Sequence, residues 1–158
     1  LDTAIDMLIQ GGARTVSFNM TDADVDAIMR QPWTMTGTDG ALVKFGETSE
    51  HPRAYGTFPR KIRSYVLDRP VLTMAQAIHA ATGLPAMVFG IEKRGLLRAG
   101  AFADVLVFDP ATISDTATYD KPHAYGEGVD YLFINGRAAL FRGKATPDRF
   151  GRLLLRKR

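Results

Sequence analysis

The sequence predicts an α/β fold followed by a small antiparallel β-domain. In the first part of the chain, helical and strand patterns alternate with short links, which is typical of parallel βα units. Beyond about residue 95 the pattern changes to short strands separated by turns. We therefore expect two domains: residues 1–95 in the βα part, and residues 96–158 in the β-domain with a basic tail.

Four elements fill the first part of the chain. Apolar residues at helical spacing predict a helix over Asp2–Gln10, and β-branched residues predict a strand over Thr15–Asn19. Thr21 is predicted to cap the next helix, because two carboxylates follow it in the first turn. Pro32 ends that helix just before a second strand, Trp33–Thr36, whose composition suits a buried strand.

A glycine-containing turn after this second strand carries the carboxylate of Asp39. In α/β folds the loops beyond the carboxyl ends of strands carry the chemistry, so Asp39 is a candidate catalytic residue. An Asp-Gly dipeptide is also a common turn, and the residues alone leave that alternative open. The loop that follows, from Gly40 to Gly56, contains His51 and Arg53, and its length favours a functional role.

Two more helices and a strand module complete the chain. Thr57 is predicted to begin a helix with Pro59 in its first turn, and Thr73 a further helix that ends at Gly83. A strand is predicted over Ala103–Pro110. Strands before and after an Asn-Gly pair at residues 135–136 predict a hairpin, with another turn at residues 142–144.

Composition excludes several classes of protein. The chain has 158 residues, of which 46% are hydrophobic, and a formal charge of only +3 despite a pI of about 9.3. The basic residues carry no nucleic-acid-binding motif, and no run is long enough to span a membrane, so we expect neither partner. The absence of cysteine excludes disulfides, and a cytoplasmic enzyme is the default. The chain begins without Met inside a helical pattern, which suggests a piece of a longer protein.

The order of several short motifs resembles one enzyme family. The motifs are Thr36-Gly37-Thr38-Asp39-Gly40, His51-Pro52-Arg53, Gly56-Thr57-Phe58-Pro59-Arg60, Thr82-Gly83-Leu84-Pro85-Ala86, Arg94-Gly95, Ala103-Asp104, Phe108-Asp109-Pro110 and Asn135-Gly136. In this order they resemble the C-terminal third of the N-acyl-D-amino-acid deacylases (D-aminoacylases), within the metal-dependent amidohydrolase superfamily. The second and third motifs point to the deacylase branch, whereas the last three are shared across the superfamily.

The resemblance implies the last βα units of a (β/α)8 TIM barrel beside a small antiparallel β-domain. It implies a zinc-dependent hydrolase acting on the amide bond of N-acyl-D-amino acids. Asp39 would accept a proton from a zinc-bound water and hand it to the leaving amine, and Arg53 would grip the substrate α-carboxylate. Phe18 and Met20, at the end of the preceding strand, would line the substrate pocket.

The histidines do not complete a metal site. The chain has three, His51, His79 and His123, and none is paired at ligand spacing. Zinc ligands are therefore expected mainly from the missing N-terminal part or from another chain that completes the barrel, with Asp39 as a possible contact. The isolated chain is expected to be inactive. Two alternatives remain open: an amidohydrolase acting on cyclic amides, like dihydroorotase or hydantoinase, and a catalytically inactive partner-binding domain.

Overall fold

The computed structural model describes residues 2–11, 18–42, 44–47 and 51–155. Helices and strands in these ranges are α1 (Asp2–Ile9), α2 (Asp22–Met29), α3 (Arg53–Ile62), α4 (Met74–Ala81), α5 (Gly83–Val88), β1 (Val105–Phe108), β2 (Val129–Ile134), β3 (Arg137–Phe141) and β4 (Lys144–Ala145). A π-helical turn, Arg63–Asp68, continues α3. Among the described helices, none is long and apolar enough to cross a membrane.

Two predicted helix starts are confirmed by their caps. The hydroxyl of Thr21 accepts a hydrogen bond from the Asp24 amide at 3.2 Å at the start of α2. Thr73 and Gln76 form a reciprocal capping box at the start of α4. Because each cap satisfies backbone N–H groups that have no partner inside the helix, its loss costs roughly 1 kcal/mol. These starts depend on local residues alone.

The two strands predicted in the first part of the chain are not formed within the described residues. Most of Thr15–Asn19 lies outside those ranges, and Phe18 and Asn19 belong to no strand. The prediction for Trp33–Thr36 is wrong for this structure, in which no strand is assigned there. A parallel strand exists only by pairing with neighbouring strands. Here the amide of Thr36 donates instead to the carbonyl of Ala80 in α4 at 2.8 Å.

The predicted start of the third helix is also wrong. The helix begins at Arg53, and Thr57 lies inside it, donating its hydroxyl to the Arg53 carbonyl at 2.9 Å. Pro59 is therefore inside α3 rather than in its first turn. An added Cβ on Gly126 would lie 2.9 Å from Pro59 Cγ, so the Pro59 ring packs closely against the segment that contains Gly126.

The helical pattern near residue 83 also departs from the prediction. α4 ends at Ala81, two residues before the predicted stop at Gly83, and Gly83 is instead the first residue of α5. Pro85, the third residue of α5, suits the first turn of a helix, where a missing N–H costs nothing. Gly83 and Pro85 therefore lie in the first turn of a second helix, and Thr82 separates that helix from α4.

The antiparallel sheet predicted for the later part of the chain is present, with a hairpin at the predicted turn. Its strands follow chain order, β1-β2-β3-β4, and each neighbouring pair is antiparallel. Asn135 and Gly136 have φ of 52° and 80°, as a two-residue hairpin turn requires at both central positions. Arg142 and Gly143 repeat this arrangement, with φ of 50° and 73°.

The connection between β1 and β2, residues 109–128, lies against α3 and its π-helical extension. Ile113 in this connection is only 1% exposed. The Arg63 guanidinium donates to the carbonyls of Ile113 and Ala111, at 2.9 Å each. Arg60 forms an ion pair with Asp115 at 3.2 Å. These contacts hold the connection beside the helix that begins at Arg53.

Candidate active site

An ion pair between Asp39 and Arg53 forms the centre of the candidate site. Arg53 Nη1 lies 3.0 Å from Asp39 Oδ2, and the two side chains are 43% and 86% exposed. At such exposure an ion pair contributes only about 0–1 kcal/mol to stability, because water screens both charges. The pair sets the distance between the two groups and leaves the carboxylate accessible to a ligand.

The backbone around Asp39 takes an uncommon conformation. Asp39 has a φ of 46°, in the left-handed region that aspartate tolerates better than most residues. At the next position, a Cβ on Gly40 would lie 2.9 Å from Ala54 Cα and 3.1 Å from the Arg53 carbonyl oxygen. Only glycine therefore allows the turn after Asp39 to approach the start of α3 so closely.

His51 orients the start of α3. Its Nδ1 accepts a hydrogen bond from the Arg53 amide at 3.1 Å. Desolvation and the nearby Arg53 charge lower the pKa of His51, and the Asp39 carboxylate offsets part of this shift. A neutral imidazole that accepts at Nδ1 carries its proton on Nε2. The arrangement therefore favours the neutral form of His51, with its proton on Nε2.

Tyr119 joins Phe18 to this cluster. The Tyr119 hydroxyl lies 3.5 Å from His51 Nε2, and the two ring centroids are 5.0 Å apart. Phe18 contacts the other side of Tyr119 edge-on, with centroids 5.3 Å apart. Tyr119 was missed by sequence reasoning, because it lies in a connection without periodicity and reaches the site only through the tertiary fold.

Met20 lies apart from this cluster. It is 75% exposed and lines a cavity of about 350 Å³ with residues of α2, α3 and the 34–37 segment that leads to Asp39. None of Asp39, Arg53 and Phe18 is among the lining residues. Of the four residues predicted from the sequence, the structure thus brings together Asp39 and Arg53, links Phe18 to them through Tyr119 and His51, and places Met20 elsewhere.

A second aromatic cluster follows along α3. The Tyr55 hydroxyl lies 3.1 Å from His123 Nδ1, and Phe45 stacks on Tyr125 with centroids 5.0 Å apart. Phe45 also meets Tyr55 edge-on at 5.9 Å. The 109–128 connection therefore contacts α3 and the loop before it through the rings of His123 and Tyr125 in addition to that of Tyr119.

The described residues do not assemble a metal site. In the described ranges, no group of three or more histidine or acidic side chains is close enough to hold a metal ion. Asp39 is paired with a guanidinium, and carboxylate alone supplies one ligand where zinc takes four in total. Within the described residues, Asp39 could therefore supply at most one ligand to a metal ion.

The chain belongs to the amidohydrolase family, whose model matches residues 3–139. It is 38% identical over 153 residues to an N-acyl-D-aspartate deacylase from Alcaligenes xylosoxydans xylosoxydans, covering 97% of this chain. It superposes on a crystal structure of D-aminoacylase with a TM-score of 0.80 and 36% identity over 87% of the chain. The resemblance read from the motifs is thereby confirmed.

A further similar structure contains a ligand. It is an N-acyl-D-glutamate deacylase from Bordetella bronchiseptica, complexed with zinc and a phosphonate mimic of the tetrahedral intermediate, with a TM-score of 0.70 and 39% identity over 76% of this chain. In each comparison the chain spans only part of the relative: 30% of the N-acyl-D-aspartate deacylase, 28% of the D-aminoacylase and 25% of the N-acyl-D-glutamate deacylase.

Proposed function

We propose that the complete protein is a metal-dependent deacylase that hydrolyses N-acyl-D-amino acids to a carboxylate and a D-amino acid. The names of the three similar proteins described above support this substrate class, because they are two deacylases of N-acyl-D-amino acids and a D-aminoacylase. They favour it over the cyclic-amide alternative and over an inactive partner-binding domain. The chain itself spans about 30% of the length of the N-acyl-D-aspartate deacylase.

One observation carries the proposal: a carboxylate and a guanidinium lie 3.0 Å apart. In an N-acyl amino acid, one carbon atom separates the acylated nitrogen from the carboxylate carbon. An enzyme that grips this carboxylate and protonates this nitrogen therefore needs its cation directly beside its proton donor. Arg53 and Asp39 satisfy that requirement, which an amide lacking an adjacent carboxylate would not impose.

The two residues have distinct roles in the proposed reaction. Asp39 accepts a proton as a water oxygen attacks the amide carbon, and it passes that proton to the nitrogen as the carbon–nitrogen bond breaks. Arg53 binds the α-carboxylate through its planar fork of N–H groups. A guanidinium has five such donors, so the ion pair with Asp39 leaves others for the substrate. We also propose that Phe18 and Met20 line the substrate pocket. The position of Met20 supports this role less well than that of Phe18.

The metal and the rest of the barrel belong to the same proposal. When bound, zinc lowers the pKa of its water to about 7 and so provides the nucleophile near neutral pH. Since the described residues include no group of three or more histidine or acidic side chains that could hold a metal ion, we propose that its ligands come mainly from the rest of a (β/α)8 barrel. Residues 1–95 would form the last units of that barrel, beside a β-domain at 96–158. The chain alone should then be inactive, and a cytoplasmic location remains our expectation.

Substitution of Asp39 tests the proposal in the complete enzyme. Asp39→Asn keeps the size of the side chain but cannot accept a proton, so kcat for N-acetyl-D-methionine should fall on the order of 10²–10⁴-fold with KM little changed. Asp148→Asn, at an exposed carboxylate in the β-domain, is the matched control and should keep the parent rate. A parent enzyme that hydrolyses cyclic amides but not N-acyl-D-amino acids would refute the substrate class. An Asp39→Asn variant with half the parent rate would return Asp39 to an ordinary turn.

A further inference from the structure

One face of α3 carries a stripe of polar side chains that meets the segment leading to Asp39. Residues four apart lie above one another on a helix, and Arg53, Thr57 and Lys61 have this spacing. Along the facing segment, Thr36 and Thr38 are two residues apart and precede Asp39. We call these six residues the polar stripe: Thr36, Thr38, Asp39, Arg53, Thr57 and Lys61.

The polar stripe forms three contacts in order. Arg53 Nη1 lies 3.0 Å from Asp39 Oδ2, Thr57 Oγ1 lies 3.0 Å from Thr38 Oγ1, and Lys61 Nζ donates to Thr36 Oγ1 at 2.6 Å. Thr38 Oγ1 also lies 2.7 Å from the Arg53 carbonyl oxygen. A hydroxyl has one proton, so Thr38 donates to Thr57 or to this carbonyl at any moment, and both acceptors belong to α3. Each step along the segment is therefore tied to one turn of the helix.

Lys61 is unusual among these residues because it is buried. The residue is 8% exposed, and it is the charged residue in the buried set of the described ranges. Burial lowers the pKa of its ammonium group. Lysine is rarely buried unless its charge is paired, since removing an ammonium from water costs far more than one hydrogen bond returns. An apolar side chain of similar length would fill the same space at lower cost, so stability alone does not account for lysine here.

The exposed position of Asp39 gives the buried Lys61 donor a possible role in holding it in place. Asp39 is 86% exposed within this chain, so packing by the described residues does not hold its carboxylate in place. Among the described residues, Arg53 contacts the carboxylate itself, and the segment before Asp39 is held along α3 by the contacts of Thr36 and Thr38. A proton carrier must be held within a fraction of an ångström of the reacting atoms.

We infer that Lys61 is a positioning residue for Asp39, acting through Thr36 and supported by the Thr57–Thr38 contact. The inference rests on the proposed function, because it assigns Lys61 to the proton transfer that Asp39 performs. Loss of the Lys61 donor leaves Thr36 without this anchor and lets the segment shift along α3. The loss then falls on kcat rather than KM, because Arg53 still binds the carboxylate.

Lys61→Met in the complete enzyme removes the donor and keeps an unbranched chain of similar length. We expect kcat for N-acetyl-D-methionine to fall roughly ten- to a hundredfold, with KM little changed. Lys121→Met, at an exposed lysine, is the matched control and should retain the parent kcat. The same Lys61→Met change is then made in the Asp39→Asn variant, where no carboxylate remains to be positioned. In the Asp39→Asn enzyme, adding Lys61→Met should lower kcat by less than about twofold.

Measuring the effect of Lys61→Met on kcat in both the parent enzyme and Asp39→Asn distinguishes lost positioning of Asp39 from general destabilisation of the fold. Equal losses in the parent and in Asp39→Asn would overturn the inference, since damage to the fold acts whether or not Asp39 is present. An unchanged kcat in Lys61→Met would overturn it too. If Lys61→Met fails to fold, Thr36→Val can replace it, because this change removes the acceptor of the same hydrogen bond. Thr36→Val should lower kcat in the parent enzyme and have little further effect in Asp39→Asn. Equal losses of kcat in the two enzymes would overturn the inference. If Asp39→Asn itself kept the parent rate, the proposed function would fail, independently of any result at Lys61.

Discussion

Replacing Arg53 by lysine in the complete enzyme keeps the positive charge and removes the planar fork. The assay is kcat/KM for two substrates, an N-acyl-D-amino acid and the same compound with its carboxylate converted to an amide. If Arg53 binds the α-carboxylate, only the first substrate should respond strongly to the substitution. The amidated substrate should be poor for the parent enzyme and nearly indifferent to Arg53→Lys.

The structure bounds the size of the effect. The ion pair with Asp39 lies between side chains that are 43% and 86% exposed, so its loss alone is worth about 0–1 kcal/mol, or at most roughly fivefold. A hydrogen bond to a charged group is worth about 1.5–3 kcal/mol, which corresponds to roughly ten- to a hundredfold in kcat/KM. A loss of more than about tenfold on the carboxylate substrate therefore exceeds what the exposed ion pair can explain.

Arg69 offers a matched control for this experiment. Its side chain is also 43% exposed and forms an ion pair with Asp26 at 3.3 Å, away from the candidate site. Arg69→Lys should leave kcat/KM for both substrates close to that of the parent. Parallel changes on the two substrates in Arg53→Lys, of the kind a surface arginine would give, would refute the role of Arg53.

Two further predictions concern stability. Gly128 has a φ of +81°, and an added Cβ would lie 2.4 Å from the Ile113 nitrogen, so Gly128→Ala should lower the free energy of unfolding by about 3 kcal/mol or more. Gly100→Ala, with a φ of +80° and open space around it, should cost only about 1–2 kcal/mol in the same denaturant titration, and equal losses would contradict the argument from crowding. Burial raises the pKa of Asp104, but donation from the Asn135 amide and the Arg94 guanidinium outweighs it, and the net pKa is lowered. The stabilisation from Asp104 is thus present above its unfolded pKa and lost as the pH falls through the folded value, so the unfolding free energies of parent and Asp104→Asn should converge below about pH 4. A difference that stays constant from pH 7 to 3 would contradict this linkage.

Local features could be predicted from the sequence because they depend on residues close together in the chain. The cap at Thr21, the capping box at Thr73 and the Asn135-Gly136 turn are all present in the structure. In each, a hydroxyl or a residue that tolerates positive φ meets a backbone requirement within four residues. Asp39 and Arg53 were also identified as candidates, from a turn and from a motif whose order resembles the deacylases.

Only the tertiary structure decided the features that depend on distant partners. The segment at residues 33–36 has strand composition, yet a strand needs neighbouring strands, and within the described residues Thr36 bonds to Ala80 and Lys61 instead. α3 begins at Arg53 rather than at Thr57, so Pro59 lies inside the helix with its ring close to Gly126, a contact between segments far apart in the chain. Tyr119 lies 68 residues from His51 in sequence and meets it at 3.5 Å only because the 109–128 connection folds onto α3. Local propensity determined the caps and turns. The site depends on contacts between segments that are far apart in the chain, and a local sequence pattern cannot predict such contacts.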